Sequence, residues 1–186
     1  MLRTDDFAIF AQNKSTLKDV SRDKDFYMTN DTTISEVINF DKVKEAYIKN
    51  LGLTDTPKSG DALLTLPNGK FILIEFKNGA VDKRDIHRKI VDSLLIFADI
   101  TKMPISYTRQ HMDFMLVYNN KKYNNTLTNK RGVQESKSRD ELSKGLFGLA
   151  KGEFIELGLS RFKKFCFNEV HTYNQSEFEK FLASIR

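Results

Sequence analysis

Apolar residues recur along the chain with two different periods. From Thr33 onward, Ile34, Val37, Ile38, Val43, Tyr47 and Leu51 follow one another at three- to four-residue steps, the spacing of a helix with one apolar face. Thr33 and Glu36 are spaced as a capping box, and Leu51-Gly52 supplies a stop, which predicts a helix over 33–51. Asn39-Phe40-Asp41 interrupts this stretch and makes Asp41 a candidate second N-cap. Residues 61–66 read as a strand, Pro67-Asn68-Gly69 as a turn, and 71–77 as a nearly continuous apolar strand buried on both faces. Residues 82–100 form an amphipathic helix with Ile86, Ile90, Leu94 and Phe97 or Ala98 inward, and Arg84, Arg88 and Lys89 off the stripe. Pro104 closes it, and 112–118 is a second buried-strand candidate. The tract 119–139, with five Asn and many Lys, reads as a long loop. A helix over 154–162, a strand-like alternation over 165–173 and a final helix capped by Ser176 through Glu179 complete the pattern. Residues 1–32 support only a peripheral helix or strand.

A hairpin followed by a helical crossover to a third strand implies an α/β fold, a mixed central β-sheet flanked by helices. No repeat or linker divides the 186 residues, so residues 1–186 are expected to form one domain. The formal charge of +5 is local: residues 119–164 hold 11 Lys and Arg against 5 Asp and Glu, whereas the rest hold 19 against 20. Such an excess suits either a polyanion partner or a solvated loop face. The single cysteine, Cys166, excludes an internal disulfide and a Cys-based zinc site and reads as a buried inert thiol. No window has the roughly 18 apolar residues of a membrane span, and no apolar signal core opens the chain. A soluble, cytoplasmic protein is expected.

Two charges break the 71–77 run. Glu75 and Lys77 share one face of that strand, where a charge is costly unless paired or bound to a metal. Asp61 heads the partner strand. If 67–69 is a three-residue loop, Asp61 stands opposite Glu75, whereas a two- or four-residue loop opposes it to Phe76. Two opposed carboxylates call for a cation, and hard oxygen ligands suit Mg²⁺ or Mn²⁺. Lys77 would offset charge on a phosphoryl oxygen beside it.

Ser59-Gly60-Asp61, followed after thirteen residues by Glu75-Phe76-Lys77, resembles the PD-(D/E)XK nuclease superfamily, with Gly60 where that family has Pro. The resemblance covers about residues 33–118 and implies a restriction-endonuclease-like αβββαβ core. It also implies a divalent-metal-dependent nuclease acting on DNA, with Asp61 and Glu75 on the metal and Lys77 as the catalytic lysine. Many members add an acid from the preceding helix; Glu36 and Glu45 are the candidates, and Glu45 is favoured because Glu36 has the capping role. Arg84 and Arg88 on the following helix are candidates for phosphate contact, as are Lys121, Lys122, Lys130 and Arg131 in the basic loop, with Tyr118 and Tyr123 to stack on bases. His87, His111 and His171 lack metal-ligand spacing and read as surface or capping residues. The resemblance admits a homodimer. The alternatives are a catalytically inactive nucleic-acid-binding module on the same fold and an interaction subunit of a defence system.

Overall fold

The run Phe71–Lys77 owes its place to composition: with five consecutive residues buried, it has no face for water and must lie inside a sheet. In the computed structural model, which describes residues 2–34, 36–120, 122 and 157–185, it is a strand inside a six-stranded mixed sheet. In chain order the strands are β1 (Lys14–Ser15), β2 (Arg22–Asp23), β3 (Phe26–Tyr27), β4 (Val37–Asn39), β5 (Ala62–Thr65), β6 (Phe71–Lys77), β7 (Met112–Tyr118) and β8 (Val170–Asn174). The helices are α1 (Ala8–Ala11), α2 (Leu17–Val20), α3 (Phe40–Leu51), α4 (Lys83–Thr101), α5 (Ile105–His111) and α6 (Gln175–Ser184).

The sheet order is β1-β4-β5-β6-β7-β8, while β2 and β3 form a separate hairpin. Strands β4, β5 and β6 pair antiparallel, and β6, β7 and β8 pair parallel. Alternation along β6 divides the core in two. Phe71 and Leu73 face a layer that includes Phe10 of α1, Phe40 and Val43 of α3, and Ile86, Ile90 and Leu94 of α4. Ile72 and Ile74 face the opposite layer with Leu17 of α2 and Phe178 and Leu182 of α6. Glu75 and Lys77 continue the first face, on the side covered by α3 and α4.

Several local expectations are corrected. The helix expected over 33–51 divides into β4 and α3, because Val37 and Ile38 pair with β5 and β1 in the sheet. Asn39, not Thr33 or Asp41, caps α3 by accepting from Lys42 N, and Gly52 ends it in the left-handed region at φ 65°. Thr33 instead donates to Asp31. Lys102, at φ 55°, ends α4, and Pro104 opens α5 rather than closing a helix. The described part of the expected 154–162 helix contains a 3-10 turn, Leu159–Phe162. The strand expected over 165–173 occupies Val170–Asn174, and the last helix is capped by Asn174 with Glu177 in a capping box, two residues earlier than Ser176 and Glu179. Lys121, Tyr123, Lys130, Arg131 and most of the basic loop lie outside the described residues.

Candidate metal and phosphate site

The hairpin register brings the two acids together. Ala62 pairs with Ile74 and Thr65 with Phe71, Leu66 N donates to Lys70 O, and Gly69 makes the turn at φ 77°. The loop therefore has three residues, and Asp61, one position ahead of β5, follows on from the Ala62–Ile74 pair at the end of the hairpin, beside Glu75. The backbone at Asp61 is held from both sides: its N–H donates to Ile74 O at 2.9 Å, and its carbonyl accepts from Phe40 N at 3.0 Å. Its side chain is fixed as well, with Phe76 N donating to Oδ2 at 2.6 Å. Gly60 ties this corner to α4 by donating to Ser93 Oγ. A Cβ at Gly60 would come within 3.2 Å of Leu73 Cδ1 and 3.3 Å of Ile74 O, so a side chain there requires Leu73 or the β6 backbone to give by a few tenths of an ångström.

Around the acid pair lies an alternating charge network. Lys89 Nζ donates to Glu75 Oε1 and Oε2 at 2.7 and 2.9 Å and stands 3.5 Å from Asp61 Oδ1. Lys77 Nζ is 3.1 Å from Glu75 Oε1 and 2.9 Å from Asp85 Oδ2, and Lys58 approaches Asp85 at 3.5 Å. A third acid, Asp41 from the first turn of α3, accepts from Ser59 Oγ and pairs with Lys44 at 3.0 Å. Asp41, Asp61, Lys77 and Asn78 line one side of a cleft of about 300 Å³, and Arg22 and Asp23 of the N-terminal hairpin line it too. Glu75 has no exposure at all and is not part of the cleft lining.

Burial governs the electrostatics. It raises the Asp61 carboxyl to about 6, with Asp41 adding to the rise against the pull of Lys89, the Phe76 N–H and Lys77. Burial raises Glu75 further, to about 8, and the neighbouring Asp61 charge adds to the rise while Lys89 and Lys77 oppose it. Burial works against the ammonium charge of Lys89, but Asp61 and Glu75 outweigh it and hold that group above its ordinary range. Lys77 is raised in the same way, by Glu75 and Asp85 against its own burial. The Asp85 carboxyl lies below its ordinary value because Lys77, Lys89 and Lys58 overcome its desolvation.

Of the residues expected at the site, Asp61, Glu75 and Lys77 converge. Glu45 does not join them: it is exposed on α3, and the third acid that acts on Asp61 is Asp41. Glu36 pairs with Lys14 at 2.9 Å. Arg84 and Arg88 are exposed on α4, with Arg88 Nε 3.8 Å from Asp92. Lys122 lies over the Phe26 ring at 5.4 Å. Tyr118 is 7% exposed and belongs to the core rather than to a stacking surface. His87 Nε2 meets Leu157 O at 2.8 Å, while His111 and His171 lie against Tyr107 and Tyr173. Cys166 is buried, and burial raises its thiol.

Sequence pattern missed Lys89, Asp85 and Asp41. Asp85 and Lys89 are spaced i, i+4 beside the Ile86–Ile90 stripe, so one edge of the buried face of α4 is ionic. That spacing is a signal the sequence does carry, but it acquires meaning only once α4 is laid over Glu75. Among the described residues, no three His, Cys, Asp or Glu side chains form a ready metal-binding group. Asp61 and Glu75 nevertheless fit a hard divalent cation chemically: both are oxygen donors, both resist ionisation without a nearby cation, and an ammonium already lies between them. Comparisons with protein-family models, with curated proteins and with solved structures found no match.

Proposed function

We propose that the protein is a divalent-metal-dependent nuclease hydrolysing phosphodiester bonds, with DNA as the favoured substrate and the site built on Asp61, Glu75 and Lys77. The observation that carries this reading is the convergence of Asp61 and Glu75 at the end of the β5–β6 hairpin, where both reach Lys89 Nζ, with Lys77 paired to Glu75 and a polar cleft lined by Asp61 and Lys77. A restriction-endonuclease-like fold is part of the proposal, supported by the antiparallel β5–β6 hairpin and the α4 crossover to parallel β7. One departure stands beside it: two strands rather than three separate α3 from α4, and β4 precedes α3.

Asp61 and Glu75 would hold Mg²⁺ or Mn²⁺, with Asp41 adding negative charge to the same cleft. Bound there, the ion supplies Lewis acidity and a water of lowered pKa. The remaining work falls to the chain. Lys77, kept protonated by Glu75 and Asp85, presents positive charge at the cleft, where an anionic phosphoryl oxygen would gain charge. The Phe76 N–H anchors Oδ2 of Asp61, and Oδ1, which faces Lys89, is the oxygen that would turn toward the cation. Arg84 and Arg88, exposed on α4, attract the polyanion backbone in a sequence-independent way.

The test is cleavage of plasmid and single-stranded DNA with Mg²⁺, with Mn²⁺ and with chelator. Cleavage that requires the metal and disappears in both Glu75→Gln and Lys77→Met supports the reading; undiminished cleavage in either variant ends it. Lys89 supports a second reading, because an internal ammonium already offsets the acids as it would in a non-catalytic nucleic-acid-binding module. That module would bind DNA with strong salt sensitivity and cut it in no metal.

A further inference from the structure

Lys89 occupies the space that a cation between Asp61 and Glu75 would need. Its Nζ reaches both oxygens of Glu75 and stands 3.5 Å from Asp61 Oδ1, so the lone pairs that face the other acid are engaged by an ammonium. Lys77 also pairs with Glu75, but it is shared with Asp85. Lys89 is instead the residue that joins the two acids. It enters from α4, a helix separate from the hairpin that carries them, on a flexible four-carbon stem. Other carboxylates lie within reach on its own helix: Asp85 one turn back, at i−4, and Asp92 at i+3.

We propose that Lys89 is an internal competitor for the divalent cation: it neutralises Asp61 and Glu75 in the metal-free protein and must leave Glu75 for the ion to be held. On release it turns along α4 toward Asp85. Asp85 is already paired with Lys77 and Lys58, so it belongs to the same network, and the exchange keeps every charge close to an opposite one. The ion then binds against an ammonium rather than into an open pair of acids. Lys89 thereby sets metal affinity without touching substrate. This inference rests on the metal-binding half of the proposed function and is independent of whether hydrolysis follows.

The experiment is calorimetric titration of the full chain with Mn²⁺, using the natural protein, Lys89→Met and Glu75→Gln. Methionine keeps the length of the stem and removes the charge. One Mn²⁺ should bind the natural protein, binding should tighten by about tenfold or more in Lys89→Met, the scale on which groups around a metal's ligands act, and Glu75→Gln should lose the site. A second measurement needs no variant: reductive methylation of the natural protein, read by peptide mass spectrometry. Lys89 should be protected without Mn²⁺ and labelled with it, and this decides the matter if Lys89→Met does not fold.

Equal or weaker binding in Lys89→Met, or labelling of Lys89 that Mn²⁺ at saturation leaves unchanged, overturns the competition and leaves the nuclease reading standing. Mn²⁺ bound by Lys89→Met but not by the natural protein upholds the competition and removes the catalytic reading for the natural chain. No Mn²⁺ bound by either removes both.

Discussion

Glu75 is the residue on which the site turns, because it is wholly buried and bonded to two lysines. Removing it leaves two partly buried ammonium groups with less opposing charge. Glu75→Ala should therefore destabilise the fold by about 1–3 kcal/mol, the cost of leaving buried donors without their acceptor. Glu75→Gln, which retains one acceptor oxygen and the shape, should cost less; denaturant unfolding of the two variants compares them directly. Lys77→Met separates chemistry from stability, since Lys77 lies at the cleft wall and Glu75 keeps Lys89 in its absence. On the proposed function, that variant loses on the order of 10²–10³ in turnover, as when one charge-stabilising donor is removed, while its unfolding midpoint moves far less than that of Glu75→Ala. A variant with normal turnover would show that Lys77 only neutralises Glu75.

At the scale of the element, the β5–β6 hairpin does the positioning. Its three-residue turn sets a register that pairs Ala62 with Ile74 and so brings Asp61 beside Glu75, and a one-residue change in the turn would shift Asp61 along β6. Gly60 is the other constraint. Gly60→Ala would place a methyl against Leu73 and the Ile74 carbonyl at 3.2–3.3 Å, lifting β5 from β6 at the position of Asp61. The expected cost is about 1–3 kcal/mol, together with weaker Mn²⁺ binding, and calorimetry of metal binding beside thermal unfolding reads both. Unchanged stability would mean that the corner relaxes freely. The end of β6 matters too: Asn78 Nδ2 donates to Asp23 Oδ2 and Asn119 Nδ2 to Asn78 Oδ1. The N-terminal hairpin is thereby tied to the cleft that it borders.

For the whole molecule, the acid pair links stability to pH. Asp61 and Glu75 titrate at about 6 and about 8 in the folded protein, against 3.8 and 4.5 for the ordinary groups. The folded state thus holds these protons more tightly than the unfolded chain. Their contribution to stability is complete below about pH 4 and is lost as pH rises through 6 and 8. The carboxyls whose values are lowered, Asp5, Asp82, Asp85, Asp99 and Glu169, act in the opposite sense but below this window. The thermal midpoint of the metal-free protein should fall between about pH 5 and pH 8.5, and Glu75→Gln should flatten that fall. A midpoint that climbs across this range contradicts the assignment. Saturating Mn²⁺ should restore the natural protein at the alkaline end, by mass action on the folded state. On the proposed function, nucleic-acid affinity is likewise a property of the whole surface. Its logarithm should fall linearly with log salt, with a slope of roughly −0.9 per phosphate neutralised, and Arg84→Ala with Arg88→Ala should make that slope shallower.

Much of this architecture was legible in the chain because its signals are local. The 71–77 run declares a buried strand by composition, α4 declares itself by its 3.6-residue stripe, and Pro67-Asn68-Gly69 declares a turn. Those features were enough to bring Asp61, Glu75 and Lys77 to one place, since a hairpin register depends only on its own loop. What the chain alone could not decide was which side chains from distant elements enter that place. Val37 and Ile38 suit a helix by spacing, yet they pair with β5 and β1 because the sheet can bury both of their faces. Glu45 and Asp41 lie one helical turn apart on α3; only packing against Ser59 and the Asp61 corner puts Asp41 at the cleft. Lys89 reads as a solvated charge beside an apolar stripe until α4 crosses β6. Periodicity says which face of a helix is buried, but tertiary packing alone decides what that face is buried against, and a charge at its edge takes its role from the charge it meets.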